Sequence, residues 1–441
     1  MFDNKALRRL ILPLVAEQLL VMLVGVADTM MASYSGEAAI SGVALVDMVN
    51  ALVIALLTAV ATGGAVIVSQ YLGSREAQHA NFAASQLQTV TFLVSLALTA
   101  VCLSLHKAIL GALFGTVDEA VMRSATTYFL ITACSFPFLG IYNASAALYR
   151  SMRRTSATMY VSLLMNVVHI VGNIIGVFVL HAGVAGVAAS TLVSRALAGV
   201  VMTGMAFGVK NAVRIRWREI FSWNREMIER ILRIGVPNSI ENGLFTLGRV
   251  LVTSIIALFG TTQIAANGVA QSVDQFAIVV ASAMNLAVIT VVGQCVGAKE
   301  YVQAEKYLKK LMRVSYAATA ALALAVWAML PGILSLYTLS DNTWKLSFNL
   351  IMAHNVMAAL LHPTAFNLPN GLRAAGDARF TMVAGIASML IFRLGTAYLL
   401  GIAFQMGIWG VWVAMGMDWL GRSTVFALRF KGGRWREYRA I

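Results

Sequence analysis

The sequence predicts an all-α, polytopic membrane protein in which twelve transmembrane helices form two pseudo-symmetric six-helix lobes. Its composition, its recurring long apolar runs and an internal repeat support this fold class. The 441 residues are 59% hydrophobic and 12% charged, and the mean hydropathy is +0.78. Soluble domains contain about 25% charged residues. The composition therefore excludes an ordinary soluble enzyme or binding domain and indicates a chain that lies mostly in lipid.

Apolar runs long enough to cross a bilayer, which takes about 20 residues in a helix, recur along the whole chain. The twelve predicted segments are 10–34, 43–70, 86–106, 121–148, 157–181, 184–208, 231–259, 264–293, 308–334, 345–370, 377–402 and 407–428. The predicted domains are an N-terminal lobe at 1–208, a linker at 209–230, a C-terminal lobe at 231–428 and a tail at 429–441. The first run is too long for the apolar core of a cleaved signal peptide, so we expect it to stay in the membrane.

The basic residues predict the orientation of the chain. A net charge of +14 would suggest a nucleic-acid partner in a soluble protein. Here Lys and Arg concentrate in alternate loops, as they do on the cytoplasmic side of membrane proteins. We therefore expect no nucleic-acid partner, and we expect both termini and the linker to be cytoplasmic. The linker is basic and amphipathic, which favours an interfacial helix.

The sequence shows no pattern typical of an enzyme. No HExxH, GxSxG or Walker loop occurs, and the paired acidic motifs with which polyprenyl transferases bind Mg²⁺ are missing. Cys102, Cys134 and Cys295 lie in or beside apolar runs and show neither a disulfide framework nor metal-ligand spacing. We predict no enzymatic activity, no catalytic residues and no cofactor, with an ion gradient as the energy source.

An internal repeat divides the sequence into two copies of a six-helix unit. Pro13 and Glu17 recur as Pro237 and Glu241, 224 residues later in the chain. This separation is here called the repeat offset. Further pairs at this offset are VSQYLGSRE (68–76) with VGQCVGAKE (292–300), and GVAGVAAS (183–190) with GIWGVWVA (407–414). Arg150 recurs as Arg373, and Thr158 as Thr381, at an offset of 223. Because six is even, both copies have the same orientation, and a substrate site between the halves is the default expectation.

Asp28 is the acidic residue that the sequence places deepest in the first apolar run. It lies about 22 Å along a helix from Pro13, at about 1.5 Å per residue. A carboxylate at that depth is costly in hydrocarbon, so we expect it to face a polar interior. The second copy has Val252 at this position. The titratable chemistry is therefore predicted in the first half.

The sequence resembles the multidrug and toxic compound extrusion (MATE) family of the flippase-like exporter superfamily. The resemblance covers essentially the whole chain, and its strongest parts are ADTMMASYSG, VGQCVGAKE and GLRAAGDARFTM (371–382). It implies two lobes around a V-shaped cavity in a prokaryotic plasma membrane. It also implies alternating-access export of organic cations or amphipathic drugs, driven by inward Na⁺ or H⁺. We expect a monomer whose partners are a small-molecule substrate and membrane lipid.

The resemblance also implies an ion-coupling site in the first lobe. In several prokaryotic relatives, an Asp on segment 1, an Asn and an Asp on segment 5 and a Thr on segment 6 form this site. Asp28 matches the first, and His169, Asn173 and Thr191 fall at the other positions, with Asn166 offering another register. One carboxylate is thus replaced by an imidazole, whose pKa is ordinarily about 6.5. Na⁺ prefers oxygen ligands, so we favour H⁺ and keep Na⁺ at Asp28 as the alternative.

Other polar residues in apolar runs are candidates for the substrate cavity. They are Glu17, Glu241, Asn242, Asp274 and His354. Glu17 and Glu241 each follow a helix-bending proline by one turn, so they either cap freed backbone groups or line the cavity. Asp274 would either attract a cationic substrate or pair with Arg249.

A rival interpretation within the same superfamily is an exporter or flippase of an amphipathic, lipid-linked or anionic metabolite. A cavity lined by arginine rather than by acids would favour it. Arg195, Arg249 and Arg393 keep this alternative open.

Overall fold

The computed structural model describes residues 2–34, 36–115, 117–337, 339–438 and 440–441, and for 24–30, 32, 33 and 37 it describes the backbone but not the side chains. The regular structure of these residues is helical throughout. The chain divides into two compact units, Phe2–Ser239 and Ile240–Ala440, here called the N-unit and the C-unit.

The N-unit contains the helices of the first six predicted segments, two further short helices and the start of the seventh segment. They are α1 (Asn4–Ser33), α2 (Glu37–Gly73), α3 (Ala77–Ser104), α4 (His106–Phe114), α5 (Glu119–Ala133), α6 (Phe136–Ser151), α7 (Thr155–Ile174), α8 (Gly183–Ala206), α9 (Trp217–Ile220) and the first part of α10 (Arg225–Ala257). α5 and α6 meet at a bend of 47° and together form the fourth segment. α7 continues into a π-helical turn at Ile175–Val179.

The C-unit contains the remainder of α10, which continues the seventh segment, and the helices of the last five segments. Its other helices are α11 (Thr261–Gly297), α12 (Tyr301–Ser335), α13 (Asp341–His362), α14 (Leu368–Ala375), α15 (Ala378–Ser388), α16 (Thr396–Tyr398) and α17 (Ile408–Lys431). π-helical turns at Pro363–Asn367, Met389–Gly395 and Leu399–Ala403 widen the helices that they join. A short 3₁₀ turn at Arg434–Arg436 follows α17.

The helices confirm the predicted all-α polytopic fold. In the described chain, eight helices are long and apolar enough to cross a membrane, and the bent pair α5–α6 makes a ninth. Three more helices, α1, α13 and α17, cover the remaining predicted segments. The last two contain polar side chains that are nevertheless buried, among them His354, Asp418 and Arg422.

α7 is arranged in the opposite way to a helix of a soluble protein. Its buried face is polar, with Thr158, Ser162, Asn166, His169 and Asn173 all at most 5% exposed. Its exposed face is apolar and consists of Tyr160, Leu163, Leu164, Val167, Ile170, Val171 and Ile174. Lipid would cover such a face, because a soluble protein would bury it. α7 therefore presents its polar groups to the interior of the N-unit.

The backbone repeats with the sequence. Non-helical turns with positive φ recur at the repeat offset: Gly36 at 100° with Gly260 at 102°, Arg75 at 65° with Lys299 at 59°, and His181 at 49° with Gln405 at 57°. The π-helical turns at Ile175–Val179 and Leu399–Ala403 are separated by the same offset. The offset is one smaller for Thr158 and Thr381. The C-unit therefore has one extra residue between Thr381 and Leu399, compared with the stretch from Thr158 to Ile175 in the N-unit. The widened turn at Met389–Gly395 accommodates it.

Two glycines let the π-helical turn that continues α7 approach α8 closely. A Cβ built on Gly186 would lie 2.7 Å from the backbone C and O of Gly176, so the helices would have to move apart. A Cβ on Gly204, near the other end of α8, would meet nothing within 4 Å. We expect Gly186→Ala to lower the free energy of unfolding by about 1–3 kcal/mol. Thermal unfolding of the purified protein in detergent measures this effect.

Gly204→Ala is the matched control on the same helix. It is expected to be neutral or to stabilise by up to about 1 kcal/mol, because alanine is the better helix former. Equal stability of the two variants would contradict a close helix crossing at Gly186.

The linker differs from the predicted interfacial helix. Within 209–224 only Trp217–Ile220 is helical, 225–230 already belong to α10, and the remainder runs as irregular chain beside the first turns of α3. Gln86 of α3 donates to the backbone oxygen of Glu219 at 2.6 Å, and Thr89 donates to that of Ile220 at 2.8 Å. Polar side chains of α3 bind backbone oxygens of the linker that a longer helix would have used for its own hydrogen bonds. The amphipathic pattern of the linker does not contain this information.

Candidate functional site

The structure brings together three of the four predicted ion-coupling residues. Nε2 of His169 on α7 lies 3.2 Å from Oγ1 of Thr191 on α8. Ser190 donates to the backbone oxygen of His169 at 2.6 Å, which fixes α8 against this turn of α7. Asn173 lies one turn further along the same face of α7 and is fully buried. The imidazole and the hydroxyl can each donate or accept, so this cluster can hold or pass a proton.

The fourth predicted residue, Asp28, belongs to α1, which packs along α7. Its side chain lies outside those that the structure describes. Thr155 of α7 donates to the backbone oxygen of Leu10 at 2.9 Å and thereby joins the two helices near the start of α7. The contact of Asp28 with His169 therefore stays a prediction.

Glu17 is the centre of a buried ion pair in the N-unit. Its carboxylate lies 2.5 Å from Nη2 of Arg150 on α6 and accepts a hydrogen bond of 2.7 Å from Thr158 on α7. The side chains of Glu17 and Arg150 are 4% and 13% exposed. These three residues, here called the N-unit triad, connect α1, α6 and α7.

Glu241 is the centre of the equivalent cluster in the C-unit. Nη2 of Arg373 donates to its carboxylate, and Nε of Arg373 donates to Thr381 at 3.2 Å. Arg422 of α17 adds a second guanidinium 3.7 Å from Glu241, and its Nε lies 3.0 Å from Asp418. The C-unit triad of Glu241, Arg373 and Thr381 thus has the same residue types as the N-unit triad, but its threonine bonds to the arginine rather than to the glutamate, and a second cation is added.

The triads give both glutamates arginine partners that the sequence interpretation did not assign to them. The repeat already contained the signal, because Glu, Arg and Thr recur together at offsets of 224 and 223. Asn242 follows Glu241 on α10 and is partly buried. A role for Glu17, Glu241 and Asn242 in the substrate cavity stays a prediction.

The C-unit encloses a cavity of about 240 Å³. Asp274 of α11 and His354 of α13 both line it, with Oδ1 of Asp274 lying 3.0 Å from Nδ1 of His354. Trp412 and Trp419 of α17 form an aromatic wall, and the His354 ring meets them edge to face at 5.9 and 5.3 Å between centroids. The structure therefore places two predicted cavity residues in one amphipathic pocket.

Two arginines also line this cavity, Arg249 of α10 and Arg393 in the π-helical turn Met389–Gly395. Nε and Nη1 of Arg393 are enclosed, and no acceptor among the described residues reaches them. Asp418 is held by Arg422 and by Ser388, which donates to it at 2.6 Å. Among the described residues, no group of three or more His, Cys, Asp or Glu side chains could hold a metal ion.

A duplicated helical bundle whose units have polar interiors and apolar outer faces is typical of a multi-pass membrane carrier. The MatE family model matches residues 13–175 and 237–399, one match in each half. The chain belongs to this family of multidrug and toxic compound extrusion transporters. The two matches are separated by the repeat offset.

Relatives and solved structures agree with the family. The chain is 27% identical to the uncharacterized transporter YisQ of Bacillus subtilis over 96% of its length and 93% of the relative's. It is 25% identical to the probable multidrug resistance protein NorM of Thermotoga maritima, over 99% of this chain and 94% of the relative. A transporter of the MOP superfamily from Pyrococcus furiosus, described as having a binding pocket of reverse polarity, superposes with a TM-score of 0.90 at 21% identity, over 98% and 96%. An outward-facing MATE family transporter superposes with a TM-score of 0.89 at 20% identity, over 98% of this chain and 95% of that one.

Proposed function

We propose that this transporter is an H⁺-coupled antiporter that exports amphipathic organic compounds, organic cations among them, across the plasma membrane by alternating access. The contact of His169 with Thr191 on the polar face of α7 is the observation that carries the proposal. α7 packs on α1, the helix of Asp28. Relatives such as NorM are named as probable multidrug resistance proteins, which favours drugs or toxic compounds as the cargo.

In the proposed coupling site, Asp28 accepts the proton, His169 relays it, and Asn173 and Thr191 provide hydrogen bonds. A Na⁺ site would need several oxygen ligands around the ion, because hard cations prefer carboxylate and carbonyl oxygens. Here the imidazole of His169 occupies a place in the cluster and reaches the Thr191 hydroxyl itself. This donor set suits a proton better than Na⁺.

The cavity of the C-unit is the proposed substrate site. Asp274 and His354 supply polar contacts, and Trp412 and Trp419 supply a flat aromatic surface. Aromatic rings attract organic cations and pack against apolar rings, so the wall suits amphipathic cargo. We further propose that the chain acts as a monomer, with both termini in the cytoplasm.

Proteoliposomes with imposed ion gradients test this proposal. The protein is reconstituted, and transport of the fluorescent cation rhodamine 123 is followed under a pH gradient or under a Na⁺ gradient at equal pH. We expect the pH gradient alone to drive accumulation against the dye gradient, and a protonophore to abolish it. Accumulation under Na⁺ alone, or equal transport with no gradient, would show that the proposed coupling is wrong.

A further inference from the structure

We infer that Arg393 forms an oxyanion subsite in the cavity of the C-unit, which rests on the proposed function of that cavity as the substrate site. The subsite would select amphipathic compounds that carry a carboxylate or phosphate. Zwitterions, in which a cationic group accompanies the anion, would belong to this class.

The first observation is the unsatisfied guanidinium of Arg393. Its Nε and Nη1 are enclosed, yet no acceptor among the described residues reaches them. Buried polar groups almost always have a hydrogen-bond partner, so an exception at a cavity wall calls for an absent acceptor. The guanidinium fork matches the geometry of a carboxylate or phosphate, which can accept two parallel hydrogen bonds.

The second observation is the charge of the cavity wall. Arg249 and Arg393 line it together with one carboxylate, that of Asp274, which lies 3.0 Å from His354. Asp418 lies near Arg393 but is not among the residues that line the cavity, and it already pairs with Arg422 at 3.0 Å. Among the described residues that line the cavity, arginines therefore outnumber carboxylates, and an enclosed excess charge favours a ligand of opposite sign.

The third observation is the place of the cavity in the repeat. At the repeat offset, Val252 and Met415 take the positions of Asp28 and Thr191, and Arg393, in the widened turn where the offset changes from 223 to 224, lies 224 positions after His169. Val252, Arg393 and Met415 all line the cavity of the C-unit. The C-unit thus has an apolar residue where the N-unit has its acid, and a guanidinium where the N-unit has an imidazole. The same region of the fold is adapted to a cation in one copy and to an anion in the other.

Two dyes that differ only at the carboxylate test the subsite. Rhodamine 110 is the free acid of rhodamine 123, which is its methyl ester. Binding to the full-length protein in phosphatidylcholine nanodiscs is measured by fluorescence anisotropy, without any ion gradient. We expect Arg393→Gln to weaken binding of the acid by about tenfold or more, because a hydrogen bond to an ionised group is lost. Binding of the ester should change by less than about twofold.

The ester also serves as the folding control for Arg393→Gln. Arg379→Gln, an exposed arginine on α15 of the same helical run, is expected to bind both dyes as the wild type does. Arg393→Lys keeps the charge but not the fork and should lose part of the affinity for the acid.

Two outcomes would overturn the subsite: equal weakening of both dyes by Arg393→Gln, or no saturable binding of the acid to the wild type. A loss of acid binding in nanodiscs that contain phosphatidylglycerol, seen in the wild type but not in Arg393→Gln, would assign the subsite to an anionic lipid headgroup. Since no gradient is used, this result is independent of the proteoliposome test. If pH-driven transport occurs but Arg393→Gln weakens binding of both dyes equally, the proposed function is supported and the proposed subsite is wrong.

Discussion

Replacing Arg150 with methionine is expected to lower the free energy of unfolding by about 3–5 kcal/mol, because it leaves the buried carboxylate of Glu17 without its guanidinium. The side chain of Glu17 is only 4% exposed, so water cannot replace the lost partner. The hydrogen bond from Thr158 would remain, but a hydroxyl does not neutralise a charge. Thermal unfolding in detergent, followed by size-exclusion chromatography with fluorescence detection, measures the loss.

The C-unit provides an internal control for this prediction. Arg373→Met removes the equivalent guanidinium from Glu241, but Arg422 remains 3.7 Å away. In the described part of the chain, no second guanidinium lies within 4.0 Å of Glu17. Arg373→Met should therefore destabilise less than Arg150→Met. Combining Glu17→Gln with Arg150→Met should recover much of the stability, because both charges are then removed. A neutral Arg150→Met would contradict a structural role for the N-unit triad.

The sequence was sufficient to predict the features that depend on local composition. Runs of apolar residues set the twelve segments, and the pairs matched at a constant offset revealed the duplication that the backbone repeats at Gly36 and Gly260. The polar face of α7 could also be found, because His169 and Asn173 are spaced by one helical turn. Hydropathy and helical spacing are local properties, so no knowledge of distant contacts was needed.

Side-chain partners far apart in the sequence could not be predicted in this way. Glu17 and Arg150 are 133 residues apart. The recurrence of Glu, Arg and Thr in both halves links them, but the local pattern around each residue does not. The π-helical turn that carries Arg393 is a response to one extra residue in a packed helix. The helical pattern of the linker failed for the same reason, since Gln86 and Thr89 of α3 bind its backbone. Each case depends on tertiary contacts that hydropathy does not encode.

The two units share their architecture and differ in their chemistry. The triads around Glu17 and Glu241 have the same acid, arginine and threonine in both copies. By contrast, Asp28 has a carboxylate that can bind a cation, whereas Val252 at the same position of the second copy is apolar. A shared frame with divergent interiors allows the proposed coupling ion and the proposed substrate to bind to different groups in the two units.

Asp28→Asn is expected to reduce pH-driven accumulation of rhodamine 123 in proteoliposomes by at least about tenfold. The amide preserves the size of the side chain but cannot take up a proton at neutral pH, so binding of the coupling ion is lost. Exchange of labelled for unlabelled dye across the membrane at equal concentration and without a gradient should continue, because it requires no net proton movement. His169→Gln should reduce accumulation less, since it removes the relay and leaves the acceptor.

The matched control is Asp118→Asn, the same chemical change at an exposed position before α5. It should transport as the wild type does, which excludes a general effect of removing a negative charge. If Asp28→Asn accumulated dye as well as the wild type under the same pH gradient, proton coupling at this residue would be wrong. If the variant lost exchange as well as accumulation, Asp28 would serve the folding or opening of the N-unit rather than its coupling to H⁺. Only the loss of accumulation with retained exchange fits an acid whose protonation drives the transport cycle.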